Sequence, residues 1–181
     1  DVETPDPEEW SRHTNWRTPG SPEAVERALD LLLNARRPLI LAGGGVILSD
    51  ASEQLQAFAE HVNVPVYSTF MGKGALSARH PLHLGIAGCW GEYPATEAAR
   101  NADVILALGA RFSDIHCSSW VPGYTYNIPP TRLIHVDLDP TEIGRNYPTE
   151  LGIVGDAREV LTQLLELAQR RGPKREDSPW T

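Results

Sequence analysis

The strongest constraint in this chain is an apolar run that ends abruptly in glycine. Pro38 to Ala42 can be buried on both faces, and it leads straight into Gly43, Gly44 and Gly45. Glycines at that place permit positive φ and close backbone approach, and the Leu48-Ser49-Asp50 that follows is expected to supply the N-cap of an amphipathic helix. A strand, a glycine turn and a helix start together make a place where N–H groups and the helix dipole can hold an anion. Leu106-Ala-Leu-Gly-Ala-Arg-Phe112 repeats the design, with Gly109 at the strand end and Arg111 presenting a positive charge. Two such crests predict one shared ligand groove at the C-terminal ends of strands, where open α/β sheets place their ligands.

Between and around the crests the pattern alternates. Ser21-Pro22-Glu23 opens a helix with Val25, Ala28, Leu29 and Leu32 at helical spacing, ending near Arg36. Strands are expected at 39–42, 64–67, 104–108, 132–137 and 152–154, with helices over 51–62, 92–101 and 157–170 and short helical turns around 72–75 and 141–145. Short apolar strands separated by helices imply an α/β fold of three layers, a parallel sheet covered on both faces, with right-handed crossovers. Residues 1–20 and 172–181 are rich in proline and charge and read as linkers around one compact domain, 21–171. With no initiator Met at the first position, the expectation is a middle piece of a longer chain.

Charge narrows the partners. With 16 Lys and Arg against 24 Asp and Glu, the formal charge of −8 disfavours a nucleic-acid surface, and no apolar run is long enough for a membrane span. Cys89 and Cys117 are far apart and stand in no metal-ligand spacing with the histidines, so no metal residues are assigned and the pattern suits a reducing cytoplasm.

Each candidate site residue has a plain alternative. The triple glycine lacks the GxGxxG spacing of a Rossmann dehydrogenase, and by itself it is equally a tight turn. Arg111 could pair with a phosphate, stack on a flat ring, or form a salt bridge to Asp114 or Asp103. Asp137 and Asp139 alternate after a strand and could accept bonds from ribose hydroxyls, although Asp139 before Pro140 is foremost a cap. Asp156 caps the last helix and could also face a ligand. His61, His80, His83 and His116 are scattered and read as packing residues, and Ser113, Ser118 and Ser119 near His116 lack a GxSxG elbow, so no catalytic residue is assigned. The loop from Trp120 to Pro130 could cover a ligand, face another domain, or simply connect.

Taken in order, Arg37-Pro-Leu-Ile-Leu-Ala-Gly-Gly-Gly-Val46, Thr69-Phe-Met-Gly-Lys-Gly-Ala75, His83-Leu-Gly-Ile-Ala-Gly-Cys-Trp-Gly91, the run from Ala102 to Asp114, and His135-Val-Asp-Leu-Asp-Pro-Thr-Glu-Ile-Gly144 give the chain a family likeness. It resembles the central domain of thiamine-diphosphate-dependent enzymes of the acetolactate synthase type over about residues 20–170. The resemblance implies a six-stranded, Rossmann-like domain that holds FAD in some members and ADP or nothing in others. It points to Gly43, Gly44, Gly45, Thr69, Phe70, Cys89, Trp90, Gly109, Ala110, Arg111, Asp137, Leu138, Asp156 and Ala157 as the groove residues. Two places depart from the family pattern. Ser113-Asp114-Ile115 stands where Asp-Asp-Arg is usual, and Cys89-Trp90 where Met-His is usual. Asp114 matches the family's domain-interface aspartate.

By the same resemblance the chemistry belongs to flanking domains of the polypeptide. An N-terminal domain brings the glutamate that activates the thiazolium, and a C-terminal one brings the Gly-Asp-Gly to Asn motif for thiamine diphosphate and Mg²⁺. The intact enzyme would decarboxylate a 2-oxoacid and transfer the two-carbon unit, as a homodimer or homotetramer, while this chain alone catalyses nothing. Two other readings share the sheet: a stand-alone nucleotide-binding module without enzyme activity, and an NAD-consuming, sirtuin-like deacylase, which usually carries a four-cysteine zinc module.

Overall fold

The computed structural model describes residues 17–172 and Trp180. Six strands carry the domain: β1 (Pro38–Ala42), β2 (Val66–Ser68), β3 (His83–Ile86), β4 (Val104–Leu108), β5 (Arg132–Asp137) and β6 (Leu151–Val154). All neighbours are parallel, in the order β3-β2-β1-β4-β5-β6. The order reverses direction between β1 and β4, which makes their C-terminal ends the topological switch point.

The helices are α1 (Pro22–Leu33), α2 (Gly44–Leu48), α3 (Ser52–Val62), α4 (Tyr93–Asn101), α5 (Asp114–Cys117) and α6 (Ala157–Arg171). Proline at the first position starts α1, and its buried Val25, Ala28, Leu29 and Leu32 form one stripe. Asn63 ends α3 in the left-handed conformation, φ 48°. Asp156 caps α6, its side chain accepting from the N–H groups of Arg158 and Glu159.

Alternate residues of each central strand feed two separate cores. Ile40, Leu106, Ile134 and Val136 pack under α1, α3 and α6 in an aliphatic layer with Leu29, Leu55, Phe58 and Leu161. Leu39, Leu41, Ile105 and Leu133 face the other way, where α4 contributes the small side chains of Ala95, Ala98 and Ala99 and the volume is filled by Tyr67, Phe112, Tyr126 and Tyr147. Phe112 stands edge-on to Tyr126, His135 and Tyr147, with ring centroids 5.3–5.6 Å apart.

The expected three-layer α/β architecture and parallel sheet are present, with several local differences. β3 lies in a stretch where the sequence pattern gave no strand, because it is short and contains Gly85 at φ +97°. The first crest is not a loop: Gly44 and Gly45 already belong to α2, and Gly43 is extended, with φ −89° and ψ −177°. Positive φ falls at Gly109 instead, 56°. Nor do Leu48-Ser49-Asp50 cap the next helix. Ala51 occupies the N-cap of α3 without a side-chain bond. Ser49 closes α2, and its hydroxyl donates to Asp156 Oδ2 at 2.8 Å. The turn at 141–145 is not a helix, and the helical turn expected at 72–75 is a 3₁₀ turn at Phe70–Gly72.

Residues 17–20, read with the first linker, are hydrogen-bonded onto the domain. Thr18 O accepts from Asp156 N–H at 2.8 Å, and buried Gly20 exchanges two bonds with the Gln163 side chain at 2.9 and 3.0 Å. In the second linker, the Trp180 indole donates to Pro38 O at 2.7 Å, at the start of β1. The rest of both expected linkers, 1–16, 173–179 and 181, lies outside the described residues. No helix among the described residues is long and apolar enough to cross a membrane.

Candidate functional site

The switch point is a seam of main chain against main chain. Gly43 N–H donates to Leu108 O at 2.9 Å, and Gly45 N–H donates to Gly109 O at 3.1 Å. A Cβ on Gly43 would stand 2.0 Å from Gly109 O, one on Gly45 2.7 Å from Gly109 Cα, and one on Gly109 2.5 Å from Gly45 Cα. These glycines therefore serve contact between β1 and β4, and only Gly109 also needs its conformational freedom. The same bonds limit what the first crest offers an anion. Of the first amides of α2, Gly45 is answered by Gly109 O and Val46 N–H by Gly43 O at 3.2 Å.

Above the seam opens a groove of about 1040 Å³ at the C-terminal ends of the strands. Gly44, Gly45, Thr69, Phe70, Trp90, Gly109, Ala110, Arg111, Asp137, Leu138 and Ala157 line it, eleven of the residues to which the family likeness points. The other three do not. Gly43 is spent inside the seam, Cys89 is exposed beside the lining Trp90, and Asp156 is turned inward. Asp156 Oδ1 accepts from Arg158 N–H at 3.0 Å and Glu159 N–H at 3.3 Å, while Oδ2 takes the Ser49 hydroxyl and Arg17 stands 3.6 Å away. Of its two expected roles, the cap is the one the structure shows.

The walls are conspicuously apolar. Leu48, Phe70, Met71, Trp90, Ile115 and Leu138 line the groove while remaining 51–88% exposed. Lone exposed apolar residues are ordinary, but a contiguous set around a concavity marks a binding surface. Leu48, Met71, Ile86, Ala87 and Ile115 also line it, beyond the residues to which the sequence points. The available signal was apolar residues placed in the turns just after strand ends, where burial in the sheet no longer explains them.

The polar groups are few. Among the described residues, Arg111 is the single Lys or Arg lining the groove, and no ion pair joins it to Asp103 or Asp114. Asp103 instead receives the Arg36 and Arg37 amides, both at 2.9 Å. Asp137 Oδ1 accepts from Asp139 N–H at 3.0 Å, and Asp139 Oδ1 accepts from the Thr141 amide and hydroxyl at 2.8 and 2.7 Å. Those Thr141 bonds hold the Asp139 carboxyl below the usual range, with Arg111 adding to the effect. Asp139 thus caps a turn, as its place before Pro140 led one to expect.

Beneath the aromatic side of the groove runs a buried chain of hydroxyls. Tyr67 OH donates to Tyr126 OH at 3.1 Å, and Tyr126 OH lies 2.6 Å from His116 Nε2. Burial lowers the His116 pKa to about 4, so the imidazole is neutral and its Nε2 accepts from Tyr126. Burial likewise lowers His135, whose Nε2 lies 2.9 Å from Ala110 O. Ser118 bonds Thr125 at 2.9 Å and not His116, so these serines form no triad with it. The loop from Trp120 to Pro130 divides its roles: Thr125 and Tyr126 are buried, whereas Trp120, Val121 and Tyr124 stay exposed, with the Trp120 indole donating to Phe112 O at 2.7 Å. Among the described residues no group of three or more His, Cys, Asp or Glu side chains could hold a metal ion.

Comparison with known proteins places this geometry. The model of the thiamine pyrophosphate enzyme central domain matches residues 25–164. The acetolactate synthase large subunit of Corynebacterium glutamicum is 40% identical over 168 residues, covering 91% of this chain and 26% of that protein. The acetolactate synthase isozyme 3 large subunit of Escherichia coli K12 is 40% identical over 156 residues, covering 86% of this chain and 26% of that one. The chain thus spans about a quarter of the length of these relatives. In three dimensions, the benzoylformate decarboxylase of Polynucleobacter necessarius superposes with a TM-score of 0.71 at 21% identity, over 99% of this chain and 32% of that one, a likeness of fold.

Proposed function

The chain belongs to the thiamine pyrophosphate enzyme central-domain family, and from that premise we propose that it is the scaffold of an acetolactate-synthase-like enzyme whose groove takes a nucleotide cofactor of the FAD or ADP kind. Residues 21–171 form the domain, and 1–20 and 172–181 lead to N- and C-terminal domains of the same polypeptide. Those neighbours hold thiamine diphosphate and Mg²⁺, and the whole enzyme, a homodimer or homotetramer, decarboxylates a 2-oxoacid and transfers the two-carbon unit. The thiamine diphosphate supplies the carbanion chemistry there; this chain supplies position. Asp114, exposed at the start of α5, faces a catalytic neighbour.

The observation that carries the groove reading is its placement at the switch point between β1 and β4, with glycine main chain forming its floor. Its volume of about 1040 Å³ lies at the top of the range of about 300–1,000 Å³ usual for small-molecule sites. Phe70, Met71 and Trp90 offer flat or polarizable surface for a ring, Arg111 a cation, and Asp137 a carboxylate for a ribose hydroxyl. Titration of the folded chain with FAD and with ADP, read by flavin fluorescence and calorimetry, tests this. Saturable binding of either is expected; binding of neither would leave the scaffold role alone. The scaffold role has its own test in the coding sequence on either side, where absence of a Gly-Asp-Gly to Asn motif would favour a stand-alone module.

A further inference from the structure

At the end of the sheet away from the groove, the ladder between β1 and β2 lacks a donor. The two strands run parallel, with Ile40 beside Val66 and Ala42 beside Ser68. Residues 40 and 42 turn their backbone groups toward β2: Ile40 N–H donates to Pro65 O at 3.0 Å, and Ala42 O accepts from Thr69 N–H at 3.0 Å. A parallel ladder repeats every two residues, so each such carbonyl is matched to the amide one place beyond its partner residue. Ala42, beside Ser68, takes Thr69. Two repeats lower, Pro38 is matched to residue 65, and residue 65 is a proline with no N–H to donate. Pro38 and Pro65 are both buried, and a buried carbonyl without a donor is costly.

The Trp180 indole fills that place. Its N–H donates to Pro38 O at 2.7 Å across 142 residues of chain, and the residue is itself partly buried there. Beside it the base of the sheet is closed by its own residues: the Asp103 carboxylate takes the Arg36 and Arg37 amides at 2.9 Å, Arg37 O takes Asp103 N–H at 3.2 Å, and Asp103 O takes Arg132 N–H at 3.0 Å. We infer that Pro65 and Trp180 are a matched pair, the proline withholding one ladder donor from the base of β1 and the indole providing it. The base of β1 is thereby the docking site of the chain's own C-terminal segment. The other end of the domain is held at the opposite side of the sheet, where Thr18 O accepts from Asp156 N–H just beyond β6. The pairing concerns this chain alone, whatever the groove holds. Its consequence rests on the scaffold reading: a C-terminal neighbour is attached through Trp180 at the end of the sheet opposite the groove.

The test is a double-mutant cycle in this chain, read from denaturant melts. Trp180→Phe keeps a ring and removes the N–H, whereas Pro65→Ala returns an amide to the ladder. Trp180→Phe is expected to lower the folding equilibrium constant by about 5–30-fold in the otherwise unaltered chain, and by less than about twofold beside Pro65→Ala. The same cost in both backgrounds, or no cost in the unaltered one, would overturn the pairing. A second measurement needs no change at Pro65. In proton–nitrogen NMR spectra, the indole resonance that Trp180→Phe removes should exchange with deuterium at least about tenfold more slowly than that of exposed Trp90. Equal rates would mean that Pro38 O does not hold the indole, and the inference would be wrong. The scaffold reading is tested by the flanking coding sequence, so either can fail without the other.

Discussion

The two faces of the sheet are built from different chemistry. Under α1, α3 and α6 the core is leucine, isoleucine, valine and alanine with the single ring of Phe58, side chains that have no hydrogen bond to satisfy and three helices to shield them. On the other face one alanine-rich helix and an irregular loop cover rings, and among them lie tyrosine hydroxyls, the imidazoles of His116 and His135 and the Cys117 thiol, polar groups that must each find a partner. The first face holds the domain together by area alone. The second is over-determined by direction, and it reaches the groove through Phe112 and His116, where the first reaches it through Val136 and Ala157. Buried polar chains are costly when broken and specific when whole, so the difference predicts distinct failures on the two sides.

The largest effect should come from the aliphatic side. Leu161→Ala removes a fully buried side chain from α6 and is expected to cost about 2–5 kcal/mol, read from a denaturant melt; a loss under about 1 kcal/mol would mean that face is loosely packed. On the aromatic side the leading effect depends on pH. His116 titrates near 4 in the folded chain against 6.5 ordinarily, so between those values the unfolded chain takes up a proton that the folded one refuses. Stability should therefore fall by about 3 kcal/mol as pH drops from 6.5 to 4, in the same direction as the lowered His135 and His83 contribute. His116→Gln should flatten that slope, and an unchanged slope would remove His116 as its source.

Tyr126→Phe comes next, at about 1–3 kcal/mol, because the lost hydroxyl leaves both Tyr67 OH and His116 Nε2 without their partner. A neutral result would show that the rings and not the hydroxyls carry this face. The smallest effect touches reactivity and leaves stability alone. Cys117 is buried on the aromatic side, where burial pushes its thiol up to about 12, while Cys89 is exposed near the groove. Under native conditions an alkylating reagent should modify Cys89 at least about 100-fold faster, as read by peptide mass spectrometry. Equal rates would mean that the aromatic face opens readily.

The same contrast explains what could be read from the sequence. Strands of the aliphatic type, such as Val104–Leu108, announce themselves as apolar runs, and Gly44, Gly45 and Gly109 at their ends line the concavity above the switch point. β3 is different: His83-Leu-Gly-Ile86 is held by its β2 neighbour and its glycine breaks the pattern, so its strand character comes from pairing and not from composition. Local sequence also shows that Gly43–Gly45 must be small without showing why. Close approach to Gly109 is a tertiary fact, and only coordinates separate it from a need for positive φ. Asp156 carried two readings for a related reason, since nothing local reveals that Ser49 and Thr18, far away in sequence, fill its remaining bonds. The rim residues Leu48, Met71 and Ile115 are not legible in the sequence, because an exposed apolar side chain carries meaning only beside others of its kind.

The seam at the switch point has a mutational consequence. When a core side chain is enlarged, a neighbouring side chain can shrink to make room, which is how second-site suppressors arise. At Gly43 and Gly45 the obstacle is the main chain of Gly109, and at Gly109 it is the main chain of Gly45. No substitution can shorten a carbonyl or remove a Cα. A selection for suppressors of Gly43→Ala or Gly109→Ala should thus return revertants at the same codon, and the two crests should behave as one locus although 66 residues separate them in the chain.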